Sequence, residues 1–200
     1  QIMPERIDLG GGMFGKMAES LKSQFDSYIP DYKEYAEVVA GSFAARFSGV
    51  EKPALLIEPG SALVGDVMQF AARVVSLKAI RGKNIATLLG SVYNINPTLN
   101  GKNPPIYVYH SGENDSQWFD DLDFGGYTCI ESDYLYRGYS GELAVGDYVV
   151  FGNVGSYSVV LKPPFILPNF AVVDYNDETG EVLPVKEAES FDDLFHTFKF

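Results

Sequence analysis

Two short apolar runs enclosing a helix-period segment constrain the fold of this chain more than any other feature. Arg6 to Leu9 leans apolar and ends at Gly10-Gly11-Gly12, as a buried strand does when it feeds a tight loop. Between Asp31 and Phe47, apolar side chains at Tyr35, Val38, Val39, Phe43 and Phe47 recur at a spacing of roughly 3.6 residues. Asp31 is placed to cap that helix and Gly49 to stop it. Ala54-Leu55-Leu56-Ile57 is then wholly apolar and runs into Glu58-Pro59-Gly60. Strand, loop, helix and strand make an α/β repeat. Both unusual loops follow the C-terminal ends of their strands, where α/β proteins place ligands. A further short helix is expected over Met17 to Phe25.

Beyond Val64 the pattern changes. Strand-like runs follow at Gln69 to Lys78, Ile85 to Leu89, Ile106 to Tyr109, Tyr127 to Ile130, Tyr148 to Phe151 and Tyr157 to Leu161. Gly and Asn separate several of them, and no long helix is expected between residues 80 and 180. This part reads as an antiparallel sheet or barrel, with the change of pattern between residues 65 and 75. The tail from Glu187 to Phe200 reads as a closing helix, with Phe191, Leu194 and Phe198 on one side.

Charge narrows the partners. The formal net charge is -12, and the 15 Lys and Arg form no basic run. A nucleic-acid partner or an anionic membrane surface is therefore not expected. A small anionic group can still bind, because local geometry outweighs global charge at short range. Cys129 is the single cysteine, so no intrachain disulfide forms and a cytoplasmic setting is the simplest reading. No apolar run reaches the roughly 18 residues of a bilayer span. The opening Gln1-Ile2-Met3-Pro4-Glu5-Arg6 has no secretory pattern and runs at once into the strand–glycine motif, as if sequence preceded it.

Several residues are candidates for chemistry, each with a plainer reading beside it. Gly10, Gly11 and Gly12 let backbone amides approach an anion such as phosphate; otherwise they are a tight strand exit. Glu58 at a hydrophobic strand end is costly unless paired, and facing a heteroaromatic nitrogen it would keep that nitrogen protonated. Its plain alternative is a solvated loop carboxylate. Cys129 is core, or a proton donor beside a site. Tyr157, after Gly152-Asn153-Val154-Gly155-Ser156, is a core-edge ring or a hydroxyl reaching phosphate. Phe165 walls a pocket or anchors its loop. His110 follows a strand and is a candidate pocket residue, His196 reads as structural, and Lys162 as solvated. With two His and one Cys there is no metal constellation.

Taken in order, Ile7 to Gly12, Glu58-Pro59-Gly60, Cys129 to Asp133 and Gly155-Ser156-Tyr157 resemble the later half of fold-type III pyridoxal-phosphate decarboxylases. That family includes the diaminopimelate, ornithine, arginine and carboxynorspermidine decarboxylases. The resemblance implies the last strands of an alanine-racemase-like (β/α)8 barrel over residues 1–65. A mainly antiparallel C-terminal β-domain with a short closing helix would follow over residues 66–200. It implies pyridoxal 5'-phosphate as cofactor, held by Gly10, Gly11, Gly12, Ser61 and Tyr157, with Glu58 at the pyridine nitrogen. It makes Cys129 the acid acting across a homodimer interface with shared active sites. Ile130, Glu131, Asp133 and Phe165 become candidate substrate contacts, Asp133 in a site-supporting or interface role. An N-terminal half would carry the Schiff-base lysine, so this chain alone is expected to be inactive.

The chain also departs from that family. Ser61 stands where relatives usually have arginine, and a hydroxyl bonds a phosphate without neutralising it. Ile130 stands where diamine-producing relatives usually have a carboxylate, and Leu89-Gly90-Ser91-Val92 lacks an expected acidic residue. Ile130 and the Leu89–Val92 stretch imply decarboxylation of a modified diamino acid, as in siderophore or other specialised biosynthesis, and the segment from Tyr157 to Pro168 also resembles decarboxylases of such pathways. The other readings are an ordinary diaminopimelate- or ornithine-type decarboxylase, a racemase using the same cofactor, or a non-catalytic antizyme-inhibitor-like protein.

Overall fold

The structure is a computed structural model and describes residues 4–49, 51–96 and 100–199. Residues 1–3, part of the opening read above as non-secretory, and Phe200 of the tail lie outside these.

The α/β repeat forms as its pattern dictates. Strand β1 (Arg6–Asp8) is followed by α1 (Glu19–Lys22), α2 (Tyr32–Arg46), β2 (Ala54–Leu56) and α3 (Gly60–Val64). α2 begins in a capping box. The Glu34 amide donates to Asp31 at 2.8 Å, and the Asp31 amide donates back to Glu34 at 2.8 Å. Such a cap stabilises a helix by about 1 kcal/mol. The helix closes on Phe47, which is buried. β1 and β2 pair in parallel, Arg6 opposite Ala54 and Asp8 opposite Leu56.

One expectation is overturned here. The two strands are not buried: Leu9, Leu56 and Ile57 are all exposed. The pair is a sheet of two strands only. Val39 and Ala40 of α2 line one apolar hollow with Leu55 and Ile57 rather than closing over them. The helix expected from Met17 to Phe25 is confined to α1.

The second architecture is a six-stranded sheet in the order β5-β8-β3-β4-β6-β7. Its strands are β3 (Phe70–Ile80), β4 (Lys83–Leu88), β5 (Ile106–Tyr109), β6 (Gln117–Gly125), β7 (Tyr134–Leu143) and β8 (Tyr148–Phe151). The short helix α4 (Val92–Ile95) lies between β4 and β5. Neighbours are antiparallel except β4 with β6. β3 and β4 form a hairpin whose corner, Arg81-Gly82, has φ of 52° and 79°. Those positive values give the turn a twist that matches its strands. Val74, Leu88, Leu122, Phe124, Leu143, Val149 and Phe151 pack the core at 0% exposure.

Two long strands, β6 and β7, are absent from the sequence expectation. β6 carries Asp120, Asp121 and Asp123, and β7 carries Gly138 and Gly141 at positive φ, so neither shows clean alternation. Asp123 is nonetheless buried, because Arg137 at 3.1 Å and the Gly138 amide at 2.9 Å satisfy it. Conversely, Tyr127 to Ile130 and Tyr157 to Leu161 are bends and turns, not strands.

Contacts divide the chain into two compact units, Gln1–Val160 and Leu161–Phe200. The second holds an antiparallel pair, β9 (Val172–Tyr175) with β10 (Val182–Lys186), and the helix α5 (Phe191–Phe195). The tail helix is thus real but short, capped by Ser190, with Phe191 and Phe195 stacked 4.4 Å apart. No helix among the described residues is long and apolar enough to cross a membrane.

Candidate functional site

The parallel register of β1 and β2 brings their ends flush. Leu9 donates its amide to the Leu56 carbonyl at 3.1 Å, and Glu58 donates its own to the Gly10 carbonyl at 2.8 Å. The Asp8 carboxylate accepts the Gly10 amide at 2.8 Å and tightens the exit. Gly10 and Gly12 have φ of 66° and 82°, which other residues rarely adopt. At Gly11 a Cβ would stand 2.5 Å from the Glu58 carbonyl oxygen. Only glycines let the first loop lie against the second. Gly10, Gly11, Gly12 and Glu58 therefore form one constellation, with Glu58 exposed.

A second set of contacts draws the Tyr157 turn to α3. The Gly155 amide donates to the Gly65 carbonyl at 3.0 Å. A Cβ on Gly155 would stand 1.8 Å from the Val64 carbonyl, so this approach also requires glycine. Tyr157 has φ of 63° and is half exposed. Ser61 and Tyr157 line a single cavity of about 250 Å³. Met13, next after the glycine loop, lines the same cavity, as do Lys16 and Lys102. The sequence reading missed both lysines. The one signal available was that Lys16 follows the glycine loop by a few residues.

The third set is the loop between β6 and β7. Cys129 and Glu131 are exposed and Ile130 is partly so. The pleat of a strand therefore does not set the directions of Ile130 and Glu131, because the strand expected over Tyr127 to Ile130 is a bend. Asp133 is 4% exposed and holds this loop. One oxygen accepts from the Ser91 hydroxyl at 2.9 Å and the Val92 amide at 2.7 Å. The other accepts from the Thr128 amide at 3.1 Å and its hydroxyl at 2.6 Å. The Leu89 to Val92 stretch thus meets the Cys129 loop through Ser91. Cys129, Ile130 and Glu131 do not line the Ser61–Tyr157 cavity.

The remaining candidates lie elsewhere. Phe165 is exposed in the second unit. His110 is half exposed, with Nδ1 2.9 Å from buried Asp147. Burial pushes the Asp147 carboxyl up, but the Ser111 amide, His110 and the Ala144 amide outweigh it and hold it below the usual range. His196 Nδ1 lies 3.0 Å from the Asp193 carbonyl. Lys162 is not a fully solvated lysine: burial first, and Lys186 second, lower its pKa. Among the described residues no group of three or more His, Cys, Asp or Glu is set to hold a metal ion.

Known proteins share this architecture. A family model described as the pyridoxal-dependent decarboxylase C-terminal sheet domain matches residues 62–155. A diaminopimelate decarboxylase of Methanothermobacter thermautotrophicus is 27% identical over 194 residues, 95% of this chain and 43% of the relative. The crystal structure of diaminopimelate decarboxylase from M. jannaschii superposes with a TM-score of 0.79 at 21% identity, covering 100% of this chain and 44% of that one. The Helicobacter pylori diaminopimelate decarboxylase complexed with L-lysine gives 0.73 at 19%, covering 96% and 44%. The chain spans less than half the length of these relatives. Its strands β1 and β2 with α2 are the last part of an alanine-racemase-like barrel, and its six-stranded sheet is the β-domain that follows. Residues 62–155 are therefore similar to the C-terminal sheet domain of pyridoxal-dependent decarboxylases, and the chain as a whole shares the fold of the matching part of diaminopimelate decarboxylases.

Proposed function

We propose that this chain contributes the cofactor-phosphate cradle, the ring-nitrogen carboxylate and the proton-donor loop of an amino-acid decarboxylase. The observation that carries the reading is the flush pairing of the two strand ends, Glu58 amide to Gly10 carbonyl. The family's cofactor is pyridoxal 5'-phosphate, and the residues fit it. A glycine loop without Cβ atoms offers amides to a phosphate, and a carboxylate stands at the adjacent strand end. When bound, the cofactor supplies an electron sink for the pair left behind by departing CO2.

This chain's residues do the rest. Gly11 and Gly12 would offer backbone amides to the phosphate while Gly10, its own amide held by Asp8, shapes the turn, with Ser61 and Tyr157 as hydroxyl donors. The Glu58 carboxylate would accept a hydrogen bond from the protonated ring nitrogen and so keep that nitrogen charged. Cys129 delivers a proton to the substrate carbon, and its exposure suits a role across a homodimer interface. Asp133 fixes the loop that presents Cys129, with Ile130 and Glu131 beside it, and Phe165 is a further substrate contact. Residues 1–65 are read as barrel and 66–200 as β-domain, with the lysine that binds the cofactor supplied by an N-terminal half in a cytoplasmic homodimer.

The diaminopimelate decarboxylases among the relatives support an ordinary diaminopimelate- or ornithine-type substrate. That reading now stands ahead of a modified diamino acid from siderophore biosynthesis, for which Ile130, the Leu89–Val92 stretch and the Tyr157 to Pro168 segment speak. Carboxylate Glu58 at the strand end weighs against a racemase, and the intact cradle weighs against a non-catalytic protein.

Incubation of the intact protein with pyridoxal 5'-phosphate and diaminopimelate, ornithine or lysine tests this reading. CO2 release is expected with at least one of them. Cys129→Ala is expected to slow release of correctly protonated product by roughly a hundredfold with cofactor affinity retained. No CO2 from any amino acid, or loss of cofactor affinity equal to loss of turnover, contradicts it.

A further inference from the structure

Gln24 and Asn103 meet as neighbouring strands do. The Asn103 amide donates to Gln24 Oε1 at 2.8 Å, and Gln24 Nε2 donates to the Asn103 carbonyl at 2.8 Å, across 79 residues of sequence. A primary amide carries the same donor and acceptor as a peptide unit, so it pairs with both backbone groups of one residue. The Asn103 side chain repeats the arrangement toward β7. Its Oδ1 accepts the Arg137 amide at 3.0 Å, and its Nδ2 donates to the Arg137 carbonyl at 2.9 Å. Asn103 therefore grips the segment between β1 and α2 with its backbone and β7 with its side chain.

Neither end of this clip is loose. Gln24 Nε2 also donates to the Ser20 carbonyl of α1 at 2.7 Å, and the Lys102 ammonium donates to the Gln24 carbonyl. Phe25 packs edge-on against Phe14, just past the glycine loop, with ring centroids 5.1 Å apart. At the other end the Arg137 guanidinium reaches buried Asp123 of β6 at 3.1 Å and lies 3.7 Å from the Tyr134 ring centroid. Tyr134 follows Asp133, whose carboxylate holds the Cys129 loop. Between the ends, Pro104 restricts Asn103 to extended backbone, so the body of the clip is stiff.

We infer that Gln24 and Asn103 are positioning residues: they fix the start of β7, and through Asp133 the Cys129 loop, against the segment that follows the glycine cradle. The inference rests on the function proposed above for what that loop delivers. A proton donor lent across an interface is aimed from its own chain, and misplacement by about an ångström costs a reaction on the order of a hundredfold.

Gln24→Ala touches neither β7 nor Cys129. In the intact protein it is expected to speed hydrogen exchange at the Arg137 amide and maleimide labelling mapped to Cys129, each by about fivefold. It should slow turnover by about tenfold and leave pyridoxal 5'-phosphate affinity unchanged. Asn103→Ala should match it in labelling and turnover. The double variant should lose no more than either single one, because one break already opens the path. Gln24→Glu keeps the acceptor for the Asn103 amide but loses the donor, and should fall between wild type and Gln24→Ala. Losses that multiply in the double variant, or Arg137 exchange and Cys129 labelling unmoved by Gln24→Ala, overturn the inference. A protein that releases no CO2 yet shows the same coupled exchange and labelling loses the decarboxylase reading and keeps the clip.

Discussion

Glu58→Gln is expected to slow decarboxylation by roughly a hundredfold or more while the protein still folds and binds its cofactor. The contact that positions this residue is made by its backbone: its amide donates to the Gly10 carbonyl at 2.8 Å. Glutamine keeps that bond and nearly the same volume. What it loses is the negative charge, and with it the ability to hold a proton on the ring nitrogen. An uncharged ring draws less electron density from the reacting carbon, so the loss falls on the chemical step. Single-turnover CO2 release, measured beside a cofactor titration, separates the two effects. Unchanged release with cofactor bound would remove Glu58 from the mechanism.

Asp133→Ala is expected to lower folding stability by about 3 kcal/mol, from the loss of hydrogen bonds to a charged acceptor and the donors left without one. The carboxylate is 4% exposed and accepts from Ser91, Val92 and both donors of Thr128. A Cβ on Gly126 would stand 2.2 Å from it, so the loop is built around this side chain. Asn is expected to recover part of the loss, because one face of its amide still accepts. Urea unfolding measures the change, and proteolysis should find the Cys129 loop opened in the alanine variant. A midpoint equal to wild type would show that the hydrogen bonds contribute nothing net.

The α/β repeat was legible because α2 has both a period and a cap, and because Gly10–Gly12 and Glu58-Pro59-Gly60 punctuate their strands. β6 and β7 were not. Carboxylates on β6 and glycines on β7 broke the alternation, and their bulges shift the register within the pair. Asp123 looks like a surface residue in the sequence and is buried only because Arg137, fourteen residues on, returns to meet it. The Cys129 segment was read as strand from its aromatic and apolar neighbours. The structure bends it, since Asp133 takes the Thr128 amide and the Thr128 hydroxyl takes that of Ile130, amides that a strand partner would have taken. For the site, glycine loop and carboxylate were readable as a pair. Lys16 and Lys102 were not, because two lysines separated by 86 positions carry no joint signal until the chain brings them to one cavity.

Everything proposed for this chain depends on the first loop lying close enough to the second for one phosphorylated ring to span both. Gly11→Ala places a Cβ where the Glu58 carbonyl already stands. Titration of the intact protein and this variant with pyridoxal 5'-phosphate reads that closeness directly. About a hundredfold loss of affinity is expected, the worth of two hydrogen bonds to a charged phosphate, with the six-stranded sheet still folded. Wild-type affinity in the folded variant would mean that the cofactor is held somewhere other than between these two strand ends.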